Sequence, residues 1–228
     1  MPAVSAIVVS GGNSVRMGQN KQFICLNGME TIALSIRVFE SVEEVKETVV
    51  VTRCEDLERV KQLCHNYGFK KVSAVVGGGE TRQQSVWNGI RAASEQAGYY
   101  AIHDGARPLV LQKDVQRVIA DAVHYGAASL GVPVKDTIKQ ISDSGMIVQT
   151  LDRSALYITQ TPQVFERSLY LKGLALAQER SLEFTDDCQL AELVGADVYM
   201  TEGSYTNIKL TTPEDVALAE LWMGGNAE

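Results

Sequence analysis

The chain has 228 residues, 45% hydrophobic and 21% charged, with 19 glycines and 5 prolines, a globular composition that excludes collagen-like, low-complexity and wholly disordered chains. At a prior of about 150 residues per domain, this length is one large domain or one domain with an appendage. With 21 Lys and Arg against 28 Asp and Glu, a net charge of -7, there is no broad basic surface for nucleic acid or an anionic membrane.

Val4 to Ser10 is a Val- and Ile-rich run that predicts a first strand, followed by the loop Ser10-Gly11-Gly12-Asn13-Ser14-Val15-Arg16-Met17-Gly18 and then Lys21-Gln22-Phe23. The loop is neither a Walker A sequence nor a Gly-x-Gly-x-x-Gly fingerprint. Its small residues let backbone N–H groups converge on an anion, and Arg16 and Lys21 add two full charges, so a triphosphate is the natural guest. Solvated cations on a Gly-rich turn are the plainer alternative.

Strand and helix then alternate: a helix near Thr31 to Glu40, a strand Thr48 to Thr52, a helix Glu55 to Tyr67 and a strand Val72 to Val76. Gly77-Gly78-Gly79-Glu80 leads into a helix expected over Arg82 to Gln96, where Thr81 and Gln84 have capping-box spacing. Here glycine backbone can approach a base edge and the Ser85 hydroxyl can bond a base or ribose, while Trp87 reads as core. Tyr99 to His103 is a strand ending in Asp104-Gly105-Ala106-Arg107-Pro108. A carboxylate at such a strand tip sits where open parallel sheets bind ligands, which makes Asp104 the candidate for Mg²⁺ on phosphates. A salt bridge from Asp104 to Arg107 is the structural alternative, and His103 reads as a hydrogen-bonded structural residue rather than a base.

A helix over Lys113 to His124 and a strand Ala128 to Val134 come next, and then the rhythm breaks. Thr137 to Ile141 and Met146 to Thr150 flank Ser142-Asp143-Ser144-Gly145, predicting a β-hairpin arm. Helices follow near Arg167 to Gln178 and Asp186 to Val194, then a strand Asp197 to Thr201, a short run Asn207 to Leu210 and a last helix with Thr212 as N-cap, Pro213 at N1 and Asp215 at N3. Thr185 before two aspartates reads as a helix start. The order predicts an α/β, Rossmann-like, mainly parallel sheet with helices on both faces. With no repeat or linker, we expect a single domain over residues 1–228 with a projecting arm at about 136–156.

Met1 to Gly12 lacks a basic n-region or cleavable apolar segment, and no apolar run approaches the roughly 18 residues of a bilayer span. The expected location is cytoplasmic. Cys25, Cys54, Cys64 and Cys188 form no Cys-x-x-Cys pair, so reduced, mostly buried thiols are expected, and His65, His103 and His124 lack metal-ligand spacing. Asp136, Thr137, Arg153, Thr161, Thr185 and Lys209 each put a charge or hydroxyl near a strand end or helix start; singly they are turns and caps, together they could hold a second phosphorylated molecule.

The order of motifs is more specific than any one of them. Arg16-Met17 and Lys21-Gln22 after the glycine loop, Gly78-Gly79-x-x-Arg82-x-x-Ser85, Ile102 to Pro108, Thr161-Pro162-Gln163 and Asn207-Ile208-Lys209 together resemble the 2-C-methyl-D-erythritol 4-phosphate cytidylyltransferases of the non-mevalonate isoprenoid pathway, across more than nine tenths of the chain. The resemblance implies CTP and a polyol phosphate, methylerythritol phosphate, as substrates, Mg²⁺ as cofactor and a homodimer. It implies Arg16, Lys21 and Lys209 as catalytic cations and Gly11, Gly12, Asn13 and Ser14 around the triphosphate. Gly79, Glu80 and Ser85 would read cytosine, with Asp104 on the metal. Arg107, Asp136, Thr137, Thr161 and Thr185 would lie around the acceptor, and Arg153 would come from the partner subunit. Many relatives carry Ala-Ala-Gly-x-Gly at the first loop, where this chain has Ser10-Gly11-Gly12-Asn13-Ser14, and Glu80 stands where some have Asp. Ribitol 5-phosphate cytidylyltransferases are the alternative family, and a non-catalytic nucleotide sensor is a further one.

Overall fold

The computed structural model describes residues 3–12 and 20–224. Strand β1 (Val4–Ser10) leads to a short hairpin of β2 (Cys25–Leu26) and β3 (Met29–Glu30), then α1 (Thr31–Ser41), β4 (Val45–Thr52), α2 (Leu57–Asn66), β5 (Val72–Gly77) and α3 (Arg82–Ala92). Next come β6 (Tyr99–Asp104), α4 (Gln112–Tyr125) and β7 (Ala127–Pro133), followed by the arm strands β8 (Lys139–Ile141) and β9 (Ile147–Thr150). The chain returns through β10 (Tyr157–Glu166), α5 (Arg167–Glu179), α6 (Cys188–Leu193), β11 (Tyr199–Glu202) and α7 (Pro213–Gly224).

The main sheet runs β11-β7-β10-β6-β1-β4-β5, with every pairing parallel except the two made by β10. Alternation along β1 sends Val4, Ala6 and Val8 to one face, against Ile32, Ile36, Phe39, Val60 and Val118. Ile7 faces the other side, among Val51, Val86, Ile90, Tyr170 and Leu174. Helices α1, α2 and α4 therefore cover one face and α3, α5 and α6 the other, as the alternating pattern implied. At Gly89 the fit is tight, because an added Cβ would lie 2.5 Å from Ile7 Cγ2; the missing side chain lets α3 lie directly on the sheet.

Several details depart from the expected elements. The largest is β10, a ten-residue central strand through Thr161-Pro162-Gln163, where the sequence pattern predicts no element. Proline has no N–H for a ladder and is normally kept to edges or bulges, and β10 complies with a bulge: its register with β7 slips between Thr159, opposite Gly131, and Gln163, opposite Ser129. Helix α3 stops at Ala92 rather than Gln96, since the Ser94 N–H turns away to donate to Glu47 Oε1 at 2.6 Å. Asn207 to Leu210 forms no strand, although Leu210 N–H donates to Ala106 O at 2.8 Å. Helix α6 begins at Cys188, whose N–H is taken by Asp186 Oδ1 at 2.7 Å, so Asp186 and not Thr185 marks that start. Asp215 reaches back to the Thr212 N–H at 2.8 Å, the role expected of an acid at N3.

All four cysteines are free; Cys64 and Cys188 are buried as expected, whereas Cys25 and Cys54 are exposed. Among the described residues no helix is long and apolar enough to cross a membrane. The strand ends that matter for function lie level: Val9 pairs with Asp104, Ser10 with Thr52, and Thr52 with Gly77. The chain runs from β1 to β4 on one side and reaches β6 on the other, so the crevice outside the carboxyl ends of β1 and β6 is the topological switch point where such sheets bind ligands.

Candidate functional site

A cleft of about 430 Å³ opens at that point, lined by Gly11, Gly12 and Lys21 on one wall, Gly79, Glu80, Arg82 and Ser85 on another, and Asp104 and Lys209 beyond. A second hollow of about 150 Å³ adjoins it, lined by Arg107, Gln160, Thr161, Gln163, Thr185 and Asp186. Arg82, Asp104 and Lys209 line both. Eleven residues expected at the site are thus brought together in two groups: Gly11, Gly12, Lys21, Gly79, Glu80, Ser85, Asp104 and Lys209 line the first hollow, and Arg107, Thr161 and Thr185 the second. Asp136, Thr137 and Arg153 are exposed at the arm and line neither hollow; Arg153 Nη1 donates to Lys135 O at 2.6 Å. Asn13, Ser14 and Arg16 lie outside the described residues.

The Gly-rich entrance to α3 is fixed by its own side chains. Thr81 Oγ1 accepts from Gln84 N at 3.2 Å, the forward half of the capping box, while Gln84 Oε1 takes the Glu80 N–H at 3.0 Å instead of the Thr81 N–H. Ser85 accepts from Gly79 N at 3.0 Å and donates its only proton to Thr81 O at 2.9 Å. That hydroxyl, expected to bond a base or ribose, has its proton committed to bracing the loop. The N–H groups of Gly78, Gly79 and Glu80 are likewise engaged, on Thr52 O, Ser85 Oγ and Gln84 Oε1, so the backbone groups that these bonds leave for a ligand are carbonyl oxygens.

At the seam, Asp104 is surrounded by cations. Lys209 Nζ lies 2.7 Å from Oδ2, Arg82 Nε 3.4 Å from Oδ1 and Arg107 Nε 3.7 Å from Oδ2. The expected alternative partner, Arg107, is thus the most distant of the three; its Nη1 instead donates to Asn207 O at 2.8 Å. Burial alone would raise the Asp104 pKa, but the fields of Arg82, Lys209 and Arg107 override it and hold the carboxyl well below the usual range.

Arg82 is the residue sequence reasoning missed. Its Nη1 also pairs with Asp187 Oδ2 at 2.5 Å, and Asp187 Oδ1 accepts from the buried Tyr170 hydroxyl at 2.7 Å. Burial would lower the Arg82 pKa, yet Asp187 and Asp104 keep it above its ordinary value. Gln163 completes the support, donating to Asp186 Oδ2 at 2.8 Å and accepting from Asp187 N at 3.1 Å. Three cations, Arg82, Arg107 and Lys209, thus gather on Asp104, with Asp187 against Arg82; Glu80 and Asp186 also line the hollows, so the positive charge is concentrated at the seam rather than spread over the lining. Such a wall attracts phosphates.

His103 is fully buried, as its structural reading required. Its Nε2 lies 3.2 Å from Arg107 O, a pure acceptor, so Nε2 carries the proton and Nδ1 accepts from the Thr161 hydroxyl at 3.0 Å. Thr161 Oγ1 in turn accepts the Asp104 N–H at 3.0 Å. This chain of bonds ties Asp104, Thr161 and Arg107 into one rigid unit. Desolvation lowers the His103 pKa from 6.5 to about 4, so the folded ring stays neutral while the unfolded one binds a proton below about pH 6.5. The stability it contributes is therefore complete above that pH and fades as pH falls toward 4. Between pH 7 and pH 5 we expect the protein to lose about 2 kcal/mol from this group. Urea midpoints should move less over that interval in His103→Gln; an equal shift in both proteins would discount the ring.

The family model for 2-C-methyl-D-erythritol 4-phosphate cytidylyltransferase matches residues 4–225. Proteins of that name from Caldanaerobacter subterraneus subsp. tengcongensis and, as a chloroplastic form, Oryza sativa subsp. japonica are similar. The first is 43% identical over 96% of this chain and 98% of its own length, the second 42% over 97% and 74%. The crystal structure of 4-diphosphocytidyl-2C-methyl-D-erythritol synthase from Anaerococcus prevotii superposes with a TM-score of 0.87 at 28% identity, covering 98% of this chain and 96% of that one. The enzyme from Thermus thermophilus gives 0.77 at 30% identity, covering 97% and 98%.

Proposed function

This chain belongs to the 2-C-methyl-D-erythritol 4-phosphate cytidylyltransferase family and transfers CMP from CTP to 2-C-methyl-D-erythritol 4-phosphate in isoprenoid biosynthesis, and from that premise we propose how its residues divide the work. The observation that carries the reading is the pair of hollows meeting at Arg82, Asp104 and Lys209. CTP occupies the larger, with its triphosphate along Gly11, Gly12 and Lys21 and its base against Gly79 and Glu80; Asn13, Ser14 and Arg16, outside the described residues, keep by resemblance their expected role toward the triphosphate. The acceptor phosphate enters the smaller, beside Arg107, Thr161 and Thr185.

An acceptor phosphate oxygen attacks the α-phosphorus as the α–β bridging P–O bond breaks, and the electron pair leaves on pyrophosphate. Two anions must meet, so charge neutralisation dominates. Lys209 stands at the junction, beside the α-phosphate in this reading, while Lys21 holds the departing pyrophosphate. A phosphate monoester is nucleophilic at neutral pH and needs no general base, in keeping with a buried His103 whose ring nitrogens are both engaged.

Asp104 suits a divalent ion shared with phosphates, since it is held ionised at the cleft and Mg²⁺ on nucleotides takes one or two carboxylates with water and phosphate oxygens filling the shell. Bound there, Mg²⁺ would supply charge neutralisation on the phosphate oxygens. The test is pyrophosphate release with CTP and methylerythritol phosphate, against UTP and ATP controls, in wild type and Lys209→Ala. Loss of one preorganised charge donor should lower turnover by roughly 10²; near-normal turnover of a folded variant overturns the assignment.

The arm supports a homodimer. Ile141, Met146, Ile147 and Val148 on or beside its strands are exposed, as is Ile158 at its root, a concentration of apolar surface that marks interaction sites. Arg153 would then enter the partner's acceptor hollow, together with Asp136 and Thr137. Mixing inactive Arg153→Ala with inactive Lys21→Ala subunits should restore partial activity, and heterodimers without recovery would remove the shared site. The free thiols fit a reducing compartment, and we assign the reaction to the cytoplasm.

A further inference from the structure

Behind the phosphate-facing wall lies a polar cluster that the chemistry above does not use. Asp56, buried at the start of α2, has one carboxylate oxygen on which four donors converge. Its Oδ2 accepts from Asn20 Nδ2 at 3.0 Å and Gln22 Nε2 at 2.8 Å. Arg53 supplies Nε and Nη2, each at 2.7 Å. Asn20 and Gln22 are the two neighbours of Lys21. Gln22 is only 2% exposed, and its Oε1 accepts from the buried Thr52 hydroxyl at 3.1 Å. Thr52 O also takes the Gly78 N–H at 2.7 Å, so the same strand end holds the opposite wall of the cleft.

A lysine side chain is flexible, and ordering it at a phosphate costs rotamer entropy. Fixing the residues on both sides of Lys21 sets where its Cα sits and the direction in which its side chain leaves before substrate arrives, so that only the rotamer entropy of the side chain remains to be lost on binding. Arg53 balances the charge of the buried carboxylate, which lets Asp56 hold two neutral amides without an unpaired anion.

We infer that Asp56 is a positioning residue for the triphosphate subsite: through Asn20 and Gln22 it clamps Lys21 over the cleft, where the β- and γ-phosphates of CTP bind. The inference rests on the proposed role of Lys21. A misplacement of about 1 Å can lower turnover by roughly 10², so Asp56→Ala should lower kcat/KM for CTP by that order and leave KM for the acceptor near its wild-type value.

The decisive measurements are a double-mutant cycle on kcat/KM for CTP and titration calorimetry with CTP and CMP, using full-length wild type, Asp56→Ala, Lys21→Ala and the double variant. Asp56→Asn is included because it preserves volume if the alanine variant does not fold. We expect the double variant to fall within about threefold of Lys21→Ala, since residues acting as one unit are not additive. CTP affinity should drop toward that of CMP in the Asp56 variants while CMP affinity is kept, a split that general loosening of the fold does not produce. A folded Asp56 variant with normal CTP kinetics, a double variant that loses the product of the two single effects, or equal losses for CTP and CMP would each overturn the clamp. Normal turnover in Lys21→Ala would overturn the underlying role of Lys21 instead.

Discussion

Replacing Asp104 with asparagine is expected to lower turnover by roughly 10² to 10³, the range seen when a preorganised electrostatic group is removed, and to destabilise the protein by about 3 kcal/mol at neutral pH, the low end of the cost of breaking a buried ion pair from one side. The amide keeps the volume but leaves Lys209 and Arg107 without the carboxylate they face and Arg82 with Asp187 alone. The stability effect has a definite pH signature. Because the folded pKa is depressed, the carboxylate's contribution is complete above its unfolded value of about 3.9 and is lost as pH falls below that value. The gap between wild type and Asp104→Asn in urea melts should therefore narrow from pH 6 to pH 3. A gap that widened toward acid would mean that the three cations do not set the state of this group.

Arg82 carries the second large effect. Its fork spans Asp104 and Asp187 from the first turn of α3, and a lysine, with one compact ammonium, cannot reproduce two directions at once. Arg82→Lys should retain the fold while lowering turnover by about 10², a loss on the scale of a misplaced reacting group. Arg82→Ala should cost about 3 to 5 kcal/mol, because Asp187 is left buried with, among the described residues, only the Tyr170 hydroxyl bonded to its carboxylate oxygens. Steady-state kinetics with both substrates and urea midpoints separate the two variants. Full activity in Arg82→Lys would reduce Arg82 to scaffolding.

Much of this organisation is legible in the amino-acid order because it is local. β1 coincides with the Val4 to Ser10 run, and the arm turn is written in Ser142 to Gly145. Asp104 could be singled out because it ends an apolar strand. The interior of β10 resisted, since Pro162 argues against a central strand until the bulge that accommodates it is seen. The β2–β3 hairpin did carry a signal, Asn27-Gly28, both at positive φ as its tight turn demands. The Arg82 partners could not be read at all: Asp187 is 105 positions away in the chain, and only the packing of α6 and α5 beside α3 brings it close. What sequence supplied at this site was the strand tips; what it withheld was the buried framework that aims them.

The shared wall between the hollows has a thermodynamic corollary. Since Arg82, Asp104 and Lys209 line both hollows, a nucleotide in one and an acceptor in the other, as proposed, would not bind as strangers: each would change the field the other meets. Whatever factor CTP imposes on acceptor affinity, the acceptor must impose on CTP, because the coupling free energy is reciprocal. One three-residue partition thus makes the two equilibria a single linked quantity.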